Sequence, residues 1–474
     1  MYLAVIVGLL AIFPTRSLSD WVGRDPSTSD WGARSNSRVD VIERDVAIIG
    51  GGSSGTYSAV RLRDHGKSVI VIEKKGLLGG HAETWKDPTT DRTINGGVVV
   101  FTPTKTVEEY FARFNVSLVS TPSLEVDRRH VDFANGGLLD FNSTDEEALR
   151  AALRVYTMQL EKYPELQYSF NLTYPVPTDL LLSFKEFAVK YKLEDLVLKT
   201  FATNQGYVPI LDISMLYIFK YLNTGQLLEY NTSFLTTARK DTQELYRKAT
   251  DFLSPDVLLN AEITSMKRWN TNEGKVELVV QTPQGAKLVR AKKLLSTVPP
   301  MLSSLTGFDL SDRERELFQK FTANGYYSAI LNNTGLNEPL SAASGSNPYH
   351  VPDLPGPYAM TLNQELTQVY YGSPHILTED AVKADILNRI QLVRQAQGLG
   401  NSTRVPEWVA FYNHAPFNLM VSNEEIRKGF YADLFALQGQ RNTFYSGAAW
   451  HAQDSSALWE FTDNYVVPMI LESL

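Results

Sequence analysis

The chain has 474 residues, a formal charge of −8 and no cysteine. Nucleic acid binding needs clustered positive charge, and no dense Lys/Arg run supplies it, which argues against nucleic acid as a partner. Without thiols, disulfides, a cysteine nucleophile and cysteine-held metals are closed, while the length suffices for two domains with substantial cores.

In chain order, Leu3 to Phe13 is an apolar run of 11 residues, short of the ~20 that a membrane-spanning helix requires. It reads as the core of a secretory signal over residues 1–19, with Ser17 and Ser19 at −3 and −1 before Asp20, although no Lys or Arg precedes the run. The alternative is a buried N-terminal helix or strand. Asn-x-Ser/Thr sequons at Asn115, Asn142, Asn171, Asn231, Asn332 and Asn401 are compatible with secretion and glycosylation. Residues 20–43, rich in Ser, Asp, Arg and Trp without periodicity, read as a flexible leader.

The next segment is the most informative. Asp45-Val46-Ala47-Ile48-Ile49-Gly50-Gly51-Gly52-Ser53-Ser54-Gly55 spells a buried parallel strand, a tight turn and the start of a helix. Gly50 permits the turn, Gly52 lets a pyrophosphate approach the backbone, and Gly55 lets the helix pack closely on the sheet. The helix N-terminus, Ser54 included, then faces the phosphates. Gly66 is placed to end this helix. The following strand, Ser68-Val69-Ile70-Val71-Ile72, ends at Glu73-Lys74, and Glu73 lies 23 residues beyond Gly50. That matches the ~20 expected for the carboxylate that holds the adenosine ribose, and an acid there argues against NADP. The unit predicts bound FAD or NAD, against the plainer reading of an ordinary strand-to-helix turn with a surface glutamate.

Residues 146–250 carry helical patterning, as in Glu146 to Tyr156 and around Leu180, Phe184, Phe187 and Ala188. From Val257 the texture turns to strands: Val257–Ile263, Val276–Val280, Lys287–Val289, and Lys293–Val298 stopping at Pro299-Pro300. Tyrosine-bearing strands follow at 326–331 and 366–371, and the chain closes with a strand at 442–447 and helix from Ala448 to Leu474. No repeat is visible.

Leu78-Gly79-Gly80-His81-Ala82-Glu83-Thr84 resembles the second flavin motif of amine-oxidase-like, glutathione-reductase-type flavoproteins. Histidine stands where most of them carry arginine, as in fungal proteins resembling β-cyclopiazonate dehydrogenase. Asn260–Met266 is similar to the strand whose backbone meets the adenine, with Ile263 at the contact. Ser296–Pro300 is similar to the strand end beside the cofactor. Tyr445-Ser446-Gly447-Ala448-Ala449-Trp450-His451, followed by Asp454-Ser455-Ser456, resembles the closing flavin motif. Its helix N-terminus would stabilise negative charge on reduced flavin; ordinary amine oxidases have an acid where Ala448 stands.

The resemblance covers about a third of the chain and implies FAD as cofactor. The fold it implies is α/β, with a Rossmann-like FAD-binding domain around a parallel sheet assembled from residues 44–105, 246–310 and 436–474. A mixed helix and antiparallel-sheet substrate domain would comprise 106–245 and 311–435. Cofactor contacts are expected from Gly50, Gly52, Ser54, Gly55, Glu73, Lys74, Gly79, Gly80, His81, Ile263, Gly447, Ala448, Asp454 and Ser455. Hydride transfer to flavin demands that water be kept out, and Tyr207, Tyr326, Tyr327 and Trp450 are candidates for that wall, each with core packing as the alternative. His81 and His451 lie inside flavin motifs; His81 could meet a phosphate or carry a covalent flavin link, or be satisfied by backbone carbonyls. His414 is a candidate base. No metal-ligand spacing, GxSxG or second GxGxxG is present.

The expectation is a dehydrogenase of a hydrophobic small molecule, acting at a C–N or C–C bond and reoxidised by oxygen or another acceptor. Two rivals stay open: a redox-neutral flavin double-bond isomerase, and a lipid-binding escort without flavin chemistry.

Overall fold

The computed structural model describes residues 40–121, 128–140, 145–203, 206–229, 233–269, 274–399 and 404–474. The expected signal segment, most of the leader, and Asn142, Asn231 and Asn401 lie outside them. So do Asn204 and Gln205, which precede Tyr207. The leader was expected to run to residue 43, but strand structure begins earlier, at Asp40.

Two seven-stranded sheets organise the molecule. The first contains the strand Asp40–Ile49, which pairs in parallel with Val69–Ile72 at Val46↔Val69 through Ile49↔Ile72. These are β-branched or small apolar residues, suited to a strand covered on both faces. All eight paired positions are buried, and each large aliphatic side chain removed from water contributes about 1.5–3 kcal/mol. Val257–Leu258 adds a further parallel strand on the far side of Val69–Ile72. Thr443–Tyr445 joins in parallel to the end of the long strand Gly285–Ser296, so pieces from both ends of the sequence meet in one sheet.

Between the first two strands runs the helix Ser53–Asp64. Its end follows the expectation for Gly66, whose φ of +72° lies in the left-handed region. Gly66 N donates to Arg63 O at 2.9 Å and Lys67 N to Leu62 O at 3.0 Å, the paired bonds of a Schellman motif.

Two strand assignments differ from expectation. Val257 to Ile263 is not one strand, because Asn260 adopts φ +49°; the chain leaves the parallel edge there and re-enters as Glu262–Lys267, antiparallel to Val276–Thr282. Conversely, Lys287–Val289 and Lys293–Ser296 belong to one 12-residue strand, Gly285–Ser296.

The second sheet is mostly antiparallel, with spatial order 407–413, 325–332, 366–373, 356–363, 340–342, 129–132 and 137–138. The helices Glu146–Leu160, Phe184–Tyr191, Val197–Thr203 and Met215–Tyr221 lie in the region with helical patterning. The closing segment forms a short 3-10 turn at Ala448–Trp450, breaks, and resumes as helix at Ser455. No helix among the described residues is long and apolar enough to cross a membrane.

Candidate active site

The site is built around the turn after Ile49. Gly50 takes φ +94°, closed to side chains that need a negative φ, and its N–H donates to Ile72 O at 2.9 Å. A Cβ on Gly55 would lie 1.9 Å from Gly50 O, so helix and turn are in direct contact there. Gly52 differs: a Cβ on it would meet only Gly80 Cα, at 3.8 Å, and would otherwise project into open space. Glu73 is buried and fixes the turn to the second strand, accepting from Gly51 N at 2.6 Å and from Lys75 N at 2.7 Å.

The Gly79-Gly80 turn docks on this loop, Gly79 N donating to Gly51 O at 2.7 Å. Both glycines have positive φ. Thr297 Oγ1 donates to Ile49 O and Gly50 O at 3.0 Å each, holding the end of the long strand against the turn.

From this loop a cavity of 1710 Å³ runs to the second sheet. A site for a single small ligand usually measures about 300–1,000 Å³, so there is room for a dinucleotide and a second molecule. Of the residues expected at the cofactor, Gly50, Gly52, Ser54, Glu73, Lys74, Gly79, Gly80, His81, Ile263, Gly447, Ala448, Asp454 and Ser455 all line it. Gly55 does not, being turned into the helix contact.

At the closing motif, Ser53 Oγ donates to Ser455 Oγ at 2.9 Å and receives Trp459 Nε1–H at 3.0 Å. This ties the first helix to the last. Asp454 accepts from Ser456 N at 2.9 Å and Ala457 N at 3.4 Å. It thereby occupies N–H groups that the resemblance would leave to face a flavin, and burial pushes its carboxyl up from the ordinary value against those bonds.

The cavity wall also holds His81, His414, Tyr326 and Phe417. The rings of His81 and His414 lie 4.7 Å apart, His81 and Phe417 5.8 Å, and Tyr326 and Phe417 4.8 Å. His414 Nε2 is 3.2 Å from Glu83 Oε2, and Lys75 Nζ donates to Glu83 Oε1 at 2.8 Å. Burial raises the Glu83 carboxyl, but the hydrogen bonds from His414 and Lys75 outweigh it and hold Glu83 below its usual range. Glu83 is therefore ionised at neutral pH and can only accept, so Nε2 of His414 carries the hydrogen. Burial, reinforced by His414, Lys75 and Lys74, holds His81 well below the usual histidine value, leaving it neutral.

Three aromatic residues expected in the wall are elsewhere. Trp450 is 1% exposed and stacks on Tyr445 at 5.0 Å, with its edge toward Phe435. Tyr207 is buried against Tyr221 at 5.3 Å. Tyr327 alternates with Tyr326 along its strand and so faces the opposite side of the sheet, where its hydroxyl donates to Leu377 O at 2.9 Å. His451 also lies off the cavity, 2.9 Å by its Nε2 from Gln167 O. Glu83 was not expected, and the acid two residues after His81 was its signal. Thr297 lies in the Ser296–Pro300 stretch expected beside the cofactor, and its bonds to the turn come from the sheet register.

Residues 48–114 match the NAD(P)-binding Rossmann-like domain family. Over 454 residues the chain is 39% identical to the FAD-dependent oxidoreductase oblC of Cochliobolus heterostrophus, covering 92% of each. It is 34% identical to the beta-cyclopiazonate dehydrogenase of Aspergillus oryzae, covering 91% of this chain and 94% of that one. The chain belongs to the fungal FAD-dependent oxidoreductases. Its fold is shared with a CLA-producing fatty acid isomerase from P. acnes (TM-score 0.71, 20% identity, 90% and 98% covered). It is also shared with a putrescine oxidase (TM-score 0.64, 17% identity, 91% and 100% covered). The open space at Gly52, the acid at Glu73 and the cavity size fit FAD.

Proposed function

We propose that the chain dehydrogenates a hydrophobic small molecule at a C–N or C–C bond, delivering the hydride to bound FAD and leaving reoxidation to oxygen or another acceptor. The observation that carries this reading is one cavity whose wall holds both the glycine turns and an aromatic, histidine-bearing cluster. Bound there, the flavin supplies a hydride acceptor at N5. The residues of this chain do the remainder. Gly52 leaves the backbone open to a diphosphate, Gly80 packs against it, and Glu73, Ile263 and Gly447 would frame the rest of the cofactor. Tyr326 and Phe417 exclude water and orient an apolar substrate. His414, with Nε2–H donated to Glu83, keeps Nδ1 as the nitrogen able to take a proton, and the Glu83 charge stabilises the imidazolium that results.

A spectrum of the purified protein, followed by anaerobic bleaching with candidate substrates and no NAD(P)H, tests the reading. Product mass separates it from a double-bond isomerase: loss of two hydrogens supports dehydrogenation, no change refutes it. A colourless protein that cannot be reconstituted with FAD would instead support an escort. Entry into the secretory pathway is part of the proposal, motivated by the N-terminal apolar run and by Asn115 and Asn171, which are exposed. Unchanged gel mobility after deglycosylation, with an intact N-terminus, refutes it.

A further inference from the structure

The cavity wall also carries groups that hydride transfer does not use. Arg128, just before the strand Arg129–Asp132 of the second sheet, lines the cavity beside Tyr370 of the central strand Leu366–Ser373. Its Nε is buried with no hydrogen-bond partner. Among the described residues no carboxylate lies within ion-pair distance of it, and burial drives its pKa down from the ordinary value, opposed only by Tyr370. The acids Glu146 and Asp195 also line the cavity. Glu146 is engaged by Arg150, and Asp195 does not reach Arg128. Lys199 adds a second positive charge, while Leu149, Leu153 and Leu198 make the intervening wall apolar.

A guanidinium cannot shed its proton, and a desolvated charge is costly unless it is paired. Elsewhere in this molecule the pairing is made: buried Arg268 holds both Asp309 and Glu314. At half-buried Arg128 no described residue makes the pair, and an anion in the cavity can supply it. Its planar fork of N–H donors matches an anion with two coplanar oxygens.

We propose that the substrate bears a carboxylate, gripped by Arg128 on the second-sheet side of the cavity, with an apolar body lying along the leucine-bearing wall. This deepens the dehydrogenase reading and rests on it for the word substrate. The test is calorimetric titration of the purified flavoprotein with decanoate and with 1-decanol, two probes of equal chain length that differ in charge. Decanoate is expected to bind at least about tenfold more tightly, as loss of a charged hydrogen bond implies. Arg128→Gln should abolish the preference, and Arg128→Lys should keep part of it, with the flavin content of both unchanged. Equal binding of the two probes, binding of neither, or a preference that survives in Arg128→Gln overturns the proposal. If one variant fails to fold, the other and the wild-type comparison still decide. A protein that binds decanoate through Arg128 but holds no flavin would retain the anion site and lose the dehydrogenase reading, so the two failures are distinguishable.

Discussion

Gly52→Ala and Gly55→Ala add the same methyl group to the same turn, and the structure assigns them opposite consequences. At Gly52 the backbone is already acceptable for alanine, with φ −71° and ψ −168°, and the nearest atom to the new Cβ is Gly80 Cα at 3.8 Å, an ordinary contact. The protein without cofactor should melt within about 0.5 kcal/mol of wild type, as surface changes do. The methyl group would, however, stand where the diphosphate must approach. Overpacking of one such group costs about 1–3 kcal/mol, which is about a 5- to 150-fold loss of FAD affinity. At Gly55 the Cβ would be 1.9 Å from Gly50 O and 2.8 Å from Thr297 Oγ1. The overpacking penalty then falls on the fold itself and exceeds the ~1 kcal/mol that alanine gains over glycine in a helix. Thermal melts of the cofactor-free proteins and FAD titrations followed by flavin fluorescence measure the two effects separately. If Gly52→Ala binds FAD as wild type does, or melts as low as Gly55→Ala, the turn is a packing feature and the cradle argument fails.

Three other outcomes follow from buried polar groups. Arg268→Met takes from buried Glu314 its 2.8 Å partner, leaves only Arg441 at 3.6 Å to balance the charge, and should cost about 3 kcal/mol in urea unfolding; a midpoint unchanged from wild type contradicts this. Because the Glu83 carboxyl is held below its unfolded value of 4.5, its contribution is fully present above that pH and disappears as pH falls through the lower folded value. The gap in melting temperature between wild type and Glu83→Gln should therefore narrow between pH 5.5 and 3, and a constant gap counts against the His414–Glu83–Lys75 arrangement. Asp454→Ala removes the cap of the last helix at a cost of about 1 kcal/mol, whereas Asp454→Asn keeps an acceptor oxygen and should melt near wild type.

The cofactor half was legible because its determinants are local. A strand of Val, Ala and Ile, a glycine turn, a helix ended by Gly66 and an acid at Glu73 all lie within 30 residues and constrain one another. Where sequence reading erred, a single backbone feature or a pairing partner decided the matter. Nothing in Leu258-Leu259-Asn260-Ala261 announces that Asn260 turns left-handed, at φ +49°, and splits one apolar run between two strands of the sheet. Nothing in Lys287 to Val298 announces a continuous strand either. That continuity comes from Val276–Thr282 pairing along one half and Thr443–Tyr445 along the other.

The substrate half fails for the complementary reason. Aromatic residues are placed by burial whether or not a cavity is near, so Tyr207 and Trp450 satisfy the same sequence criteria as Tyr326 and end in the core. What separates Tyr326 from Tyr327 is one step of strand alternation, and which face is wet depends on helices more than 100 residues distant. Arg128 is the extreme case. In the sequence it stands in a polar run, Asp127-Arg128-Arg129-His130, that reads as surface. Only the pairing of Arg129 to Val131 with Leu340 to Ala342 carries that run onto the second sheet and its first arginine to the cavity wall. A residue whose place comes from a register rather than from its neighbours has no local signature, and Tyr326 and Arg128 on the cavity wall are of that kind.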